Sequence, residues 1–265
     1  MTEDGPGPRI TWVGHSTVLI EIDGVRLLTD PFLRDHLGPL RRHGPSPDLE
    51  AIGAVDAVLL SHAHPDHFDR RSLRRLPGRS LVVAPRGLGR IIEKAGHEAL
   101  ELLPDETTLI GSIGVRAVPA RHGRWPRHPG AVTLGFLIEG DTSVYFAGDT
   151  SVFLGLRRLA GRVDVALLPI GSWGPHVAPW HLGPRGAARL AGTIGARVVV
   201  PIHWGTLYPA GLSRVWSGPL DRPATRFAAA AAELAPATDV RLLRPGESTT
   251  VVGLRRGREP PRPTG

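Results

Sequence analysis

Residues 57–67 read Ala57-Val58-Leu59-Leu60-Ser61-His62-Ala63-His64-Pro65-Asp66-His67. Four apolar residues are followed at once by three imidazoles and a carboxylate. The apolar run fits a short strand buried on both faces. His62 and His64 are two apart, so in extended backbone they point to the same side. Pro65 forbids an ordinary helix through this point and fixes a turn. Asp66 and His67 then lie in that turn, ahead of a short helix at 69–76 capped by Asp69. One short segment therefore presents four donor groups from the end of a strand.

Other donors occupy equivalent places. His122 follows the strand-like VRAVPA, Asp149 follows SVYFA, and His203 follows RVVVP. In layered α/β folds, sites form beyond the C-terminal ends of strands. His62, His64, Asp66, His67, His122, Asp149 and His203 can thus converge on one edge. Five imidazoles and two carboxylates are enough for two divalent ions with positions left for water.

The rest of the chain suits that layout. Strands are expected within 17–30, as a hairpin turning on Asp23-Gly24, and at 80–85, 114–120, 164–170, 196–202, 238–243 and 248–254, with a second hairpin over 131–148. Helices are expected at 86–96, 153–160, 184–195 and 224–235. Residues 34–48 are polar and Pro-rich and read as a long loop. No linker interrupts the middle. A single α/β domain with helices packed on mixed sheets is expected over 9–254, with disordered ends at 1–8 and 255–265.

Composition narrows the chemistry. The chain has no cysteine, which excludes disulfides, thiolate ligands and thiol catalysis, so any metal site is built from histidine and carboxylates. The net charge is +7. Lys94 is the one lysine, and the arginines are scattered, which reads as a solvated surface more than as a nucleic-acid track. No apolar run approaches the ~20 residues of a membrane helix. The opening MTEDGPGPR is polar and lacks the apolar core of a signal peptide, so a cytoplasmic protein with no membrane span is expected.

The series His62-x-His64-x-Asp66-His67 resembles the H-x-H-x-D-H signature of the metallo-β-lactamase fold superfamily. His122, Asp149 in FAGDT and His203 in PIHWGT match its remaining ligands in order. WVGHSTVLIEIDGVRLLTDP (12–31) and HLGPRGAARLA (181–191) are similar to the branch containing ascorbate-6-phosphate lactonases and N-acyl-phosphatidylethanolamine phospholipase D. The resemblance spans roughly residues 10–252. It implies a four-layer αββα sandwich with the site at one edge. It also implies that His62, His64 and His122 hold one metal, that Asp66, His67 and His203 hold a second, and that Asp149 bridges them. Zinc suits so many imidazoles, with manganese or iron as alternatives. Asp30, in LLTDP, matches an acid that orients ligand histidines from behind.

The chemistry expected on this basis is hydrolysis of a small-molecule ester, lactone or phosphodiester by metal-activated water, with Asp66 and Asp149 orienting that water and handling its proton. His181, Trp173 and Trp180 lie in loops beside the donors and can wall a substrate pocket. His15, in GHST, can bind substrate or equally brace the hairpin. His97 is given no role. Two other uses of the same core stay open: a nucleic-acid processing nuclease, which the basic balance favours only mildly, and a metal-binding protein without catalysis.

Overall fold

Asp23 and Gly24 both adopt left-handed φ, 48° and 79°, the two-residue turn whose twist matches a hairpin. They join the strands Thr17–Ile22 and Val25–Thr29 in antiparallel register. The computed structural model describes residues 7–123, 132–172 and 180–252; Trp173 lies outside them. In chain order the first half contains β1 (Arg9–Gly14), β2 (Thr17–Ile22), β3 (Val25–Thr29), β4 (His36–Leu37), β5 (Leu40–Arg42), α1 (Leu49–Ile52), β6 (Ala57–Leu59), α2 (Arg70–Leu73), β7 (Leu81–Pro85), α3 (Gly89–Glu93) and β8 (Glu98–Leu102). The second half contains β9 (Thr107–Ile110), β10 (Ile113–Pro119), β11 (Leu134–Glu139), β12 (Ser143–Phe146), β13 (Val165–Pro169), α4 (Pro184–Ile194), β14 (Val198–Ile202), β15 (Leu207–Pro209), α5 (Gly218–Leu234), β16 (Asp239–Val240) and β17 (Ser248–Thr250).

Two seven-stranded sheets result, in the orders β17-β1-β2-β3-β6-β7-β8 and β16-β14-β13-β12-β11-β10-β9. Each begins with antiparallel hairpins and continues with parallel strands, β3-β6-β7-β8 in one and β12-β13-β14-β16 in the other. The halves share this plan without a visible sequence repeat. The sheets face each other through one apolar layer, with Ile10, Trp12, Ile20 and Leu59 on one side meeting Phe136, Phe146, Leu167 and Val200 on the other. Leu73 and Ile92 from the short helices cover the outer face of the first sheet. Ala187, Ala191, Phe227 and Ala231 of α4 and α5 cover the second. The layers are therefore helix, sheet, sheet, helix, the sandwich expected from the resemblance.

Several local readings differ from what forms. The helix expected at 153–160 is a 3-10 helix, Leu154–Leu159. The stretch 34–48 is not a plain loop: β4 and β5 form a hairpin whose second strand pairs with β15 into a small third sheet. Strands of two or three residues carry no legible periodicity, and this sheet is held by a satellite cluster of Phe32, Leu40 and Leu207. Arg42 in this hairpin is not a solvated residue. Its guanidinium is buried, donates to the carbonyls of Phe32 and Arg34, and burial lowers its pKa to about 10. The last helix reaches back to Gly218 across Pro223, a residue that forfeits one backbone bond but keeps a helical φ. His97 is buried, donating from Nε2 to the Leu73 carbonyl and accepting from the Ser80 N–H. No helix among the described residues is long and apolar enough to cross a membrane.

The α4–α5 contact generates a test. Gly to Ala inside a helix ordinarily gains about 1 kcal/mol. At Gly192 a methyl group would lie 2.3 Å from the Leu234 carbonyl oxygen, so Gly192→Ala is expected instead to lose about 1–3 kcal/mol. Denaturant midpoints of the two proteins measure the sign.

Candidate metal centre

The donors stand where strands of both sheets end. Asp30 follows β3, and His62, His64, Asp66 and His67 follow β6. His122, Asp149 and His203 follow β10, β12 and β14 of the opposite sheet, while His15 closes β1 and His181 precedes α4. Left-handed φ angles at His15, Asp30 and His203 (55°, 32° and 60°) aim these side chains inward, in conformations that non-glycine residues keep only when their surroundings enforce them.

One buried carboxylate sets the tautomers. Asp30 accepts from the Ser61 N–H at 2.6 Å and from the Ser61 hydroxyl at 2.5 Å. It also accepts from His67 Nδ1–H at 2.7 Å. Because the Ser61 proton is committed to Asp30, His62 Nδ1–H must donate to Ser61 Oγ, 2.8 Å away. Both histidines thereby present Nε2 to the interior of the site. His122 reaches the same state by donating from Nδ1 to the Trp180 carbonyl at 3.2 Å. Ser61 escapes a reading from sequence, since a serine at a strand end carries no signal of its own.

The donor atoms form four overlapping groups, each with its donors within 4.8 Å of one another: His62, His64 and His122; Asp30, His62 and His67; His15, Asp66, His67 and His203; and His122, Asp149 and His181. Asp149 lies between them. Its Oδ2 is 3.0 Å from His181 Nε2, 3.3 Å from His67 Nε2, 3.8 Å from His122 Nε2 and 3.9 Å from His62 Nε2. Its Oδ1 is 3.3 Å from His203 Nε2. His122 Nε2 stands 3.0 Å from His64 Nδ1, and His67 Nε2 stands 3.1 Å from His203 Nε2. Two nitrogens sharing one tetrahedral ion at ~2.0–2.1 Å would be about 3.3 Å apart, close to these separations. All seven residues singled out as donors, and Asp30, are thus brought together. His15 and His181 join them inside the cluster. Trp180 sits at its rim, 57% exposed.

The electrostatics require positive charge. Asp30, Asp66 and Asp149 are almost fully buried. Among the described residues their only ion-pair partners are histidines. Burial pushes the Asp66 and Asp149 carboxyls up, but the surrounding imidazoles outweigh it and hold both well below the usual carboxylate range. Burial also works against a charged His67, yet Asp149, Asp66 and Asp30 hold it well above the ordinary imidazole value. Burial keeps His15, His62, His122 and His203 below theirs and takes His64 down to about 4. Neutral imidazoles are the form a metal ion binds. His62 Nε2 and Asp149 Oδ1 are buried without a hydrogen-bond partner among the described residues. Unpaired buried atoms of this kind are costly, and both point into a cluster whose donor chemistry suits divalent cations.

Known proteins are similar to this chain in sequence and in fold. An uncharacterised protein of Mycobacterium tuberculosis is 34% identical over 233 residues, 80% of this chain, and this chain spans 62% of that relative's length. A metal-dependent hydrolase of Methanopyrus kandleri is 32% identical over 255 residues, covering 91% of this chain and 98% of its own. The N-acyl-phosphatidylethanolamine-hydrolyzing phospholipase D 1 of Caenorhabditis elegans is 29% identical over 241 residues, 80% of this chain and 67% of its own. A solved metallo hydrolase of Ignicoccus hospitalis superposes with a TM-score of 0.71 at 24% identity, covering 92% of this chain and 98% of its own. The family model described as the beta-lactamase superfamily domain matches residues 25–204. With that match spanning most of the sandwich and the donors from Asp30 to His203, the chain belongs to the beta-lactamase superfamily domain family.

Proposed function

We propose that this chain is a metal-dependent hydrolase that cleaves an ester, lactone or phosphodiester bond of a small molecule with water. The observation that carries the reading is the position of Asp149, between His62, His64 and His122 on one side and Asp66, His67 and His203 on the other. In this reading the first three would hold one divalent cation and the second three another, with Asp149 as a donor available to either. Zinc fits the imidazole-rich set, with manganese or iron as alternatives. When bound, such a pair polarises a substrate oxygen and lowers the pKa of water from about 15.7 toward ~7.

The chain's own residues do the rest. Asp66 and Asp149 orient the attacking water and take its proton. Asp30 keeps the lone pairs of His67 and, through Ser61, of His62 turned toward the site, so no reorganisation is needed when substrate arrives. His181, whose Nε2 lies 3.0 Å from Asp149 Oδ2, is available to meet the incoming molecule. Trp180 and Val152 are both exposed. Trp180 is joined to His122, and Ser151, the neighbour of Val152, bonds the carbonyl of Arg121 next to His122. They give the rim an apolar lip against which a nonpolar part of a substrate packs.

Protein purified without added metal is expected to hold two divalent ions per chain by elemental analysis. His64→Ala and Asp149→Ala are expected to lose bound metal together with most hydrolysis of a lactone and phosphodiester panel. Full turnover by either variant overturns the reading. Asp30→Asn is expected to reduce metal affinity or turnover by about 10–100-fold while leaving every direct donor in place.

The pH dependence of the chelated protein follows from the same groups. His15, His62, His64, His122 and His203 have native values below 6.5. As pH falls from about 6.5 toward 4, the unfolded chain therefore takes up protons that these native imidazoles refuse. Asp66 and Asp149, with lowered native values, add stability that is lost only at still lower pH. His67 runs the other way: its stabilisation is complete below 6.5 and fades as pH rises through its raised native value. Five against one, stability is expected to fall on acidification through the 6.5–4 window, read as a falling urea midpoint.

A further inference from the structure

His15 belongs to neither of the donor triplets in the proposed function, yet it is among the most constrained side chains in the cluster. It is 1% exposed. Its Nε2 is 2.9 Å from Asp66 Oδ2. Its ring lies on that of His203, with centroids 3.9 Å apart and planes inclined at 38°. Its backbone is tied to the same neighbour: the His203 N–H donates to the His15 carbonyl at 2.9 Å. Trp12 Nε1–H donates to that carbonyl as well, and the His15 N–H donates to Thr206 Oγ1. The turn between β1 and β2 is in this way joined to the turn that carries His203.

His203 needs such support. Metal-binding histidines usually donate their outer nitrogen to a carboxylate, a carbonyl or water. His67, His62 and His122 do so through Asp30, Ser61 and the Trp180 carbonyl, whereas His203 Nδ1 is buried with no hydrogen-bond partner among the described residues. The ring of His15 and the backbone bond to His15 take the place of that outer partner. Asp66 is in the same position, since the hydrogen bond from His15 is the shortest contact made to its Oδ2.

We infer that His15 is a positioning residue for the second cation, holding the Asp66 carboxylate by donation from Nε2–H and the His203 ring by stacking, without itself being a ligand. This rests on the two-cation reading above. Losing it should weaken the Asp66, His67 and His203 group selectively, because His62 and His122 of the other group are oriented by Ser61 and the Trp180 carbonyl.

Two replacements separate the contributions. His15→Phe keeps a ring to stack on His203 but cannot donate to Asp66. His15→Gln places an amide N–H near the position of Nε2 and gives up the ring. Chelator-stripped wild type, H15F and H15Q are titrated with Zn²⁺ alone, following stoichiometry and affinity by competition with a chromophoric chelator, with thermal melts run in parallel. Wild type binding two ions is the control; fewer than two refutes the two-cation reading and not the role of His15. The expected result is that H15F binds one ion as wild type does and the other about 10–100-fold more weakly, with H15Q closer to wild type. The inference is overturned if both variants bind two ions with wild-type affinity, if both affinities fall together with the melting temperature, or if H15Q is as impaired as H15F, which would make His15 a ligand. Should H15F not fold, H15Q against H15N decides the matter. Asn is too short to reach Asp66 and is expected to show the selective loss that Gln relieves.

Discussion

Three carboxylates buried together without a lysine or arginine partner set the terms for this molecule. Isolated ionised carboxylates in a protein interior are unaffordable unless paired, and among the described residues the ion-pair partners of Asp30, Asp66 and Asp149 are all imidazoles. Imidazole is a poor permanent counter-charge because burial drives it neutral, as it does at His62 and His203. The arrangement holds negative charge in place for something positive to meet. The layered sheets, the left-handed turns and the serine relay can all be read as ways of keeping that charge where it is.

Much of this was legible in the sequence for a plain reason: the donors announce themselves by where they fall. His62, His64, Asp66 and His67 are contiguous and follow an apolar run. His122, Asp149 and His203 each terminate a strand that can be read from its apolar residues. Strand ends on one edge are neighbours in a layered fold, so spacing in the sequence converts to proximity in space. Long helices and central strands were similarly visible, because apolar residues dominate them and Gly195 marks the end of α4 with a left-handed φ of 67°.

What stayed hidden depends on interactions that do not repeat. β4, β5 and β15 exist because Phe32, Leu40 and Leu207 happen to meet, not because any of them has a period. β8 and β9 sit towards sheet margins and carry too many polar residues to alternate clearly. His15 looked equally suited to substrate or to bracing. Its direction is fixed by a backbone φ of 55°, which nothing in the letters GHST reveals. Arg42 gave no hint that its cation would be buried against carbonyl groups.

Gly148 holds a last consequence. It turns with φ of 57° just before Asp149, and a methyl group there would lie 2.7 Å from the Ser61 Cβ and 3.0 Å from the Leu134 carbonyl oxygen. The Leu134 N–H in turn donates to the Ser61 carbonyl at 2.9 Å. At this point the two leaves of the sandwich touch backbone to backbone, and the donors on either side of the seam belong to different leaves. An ion seated among them would act as a rivet through both, and its occupancy would tighten the closure of the whole sandwich by mass action.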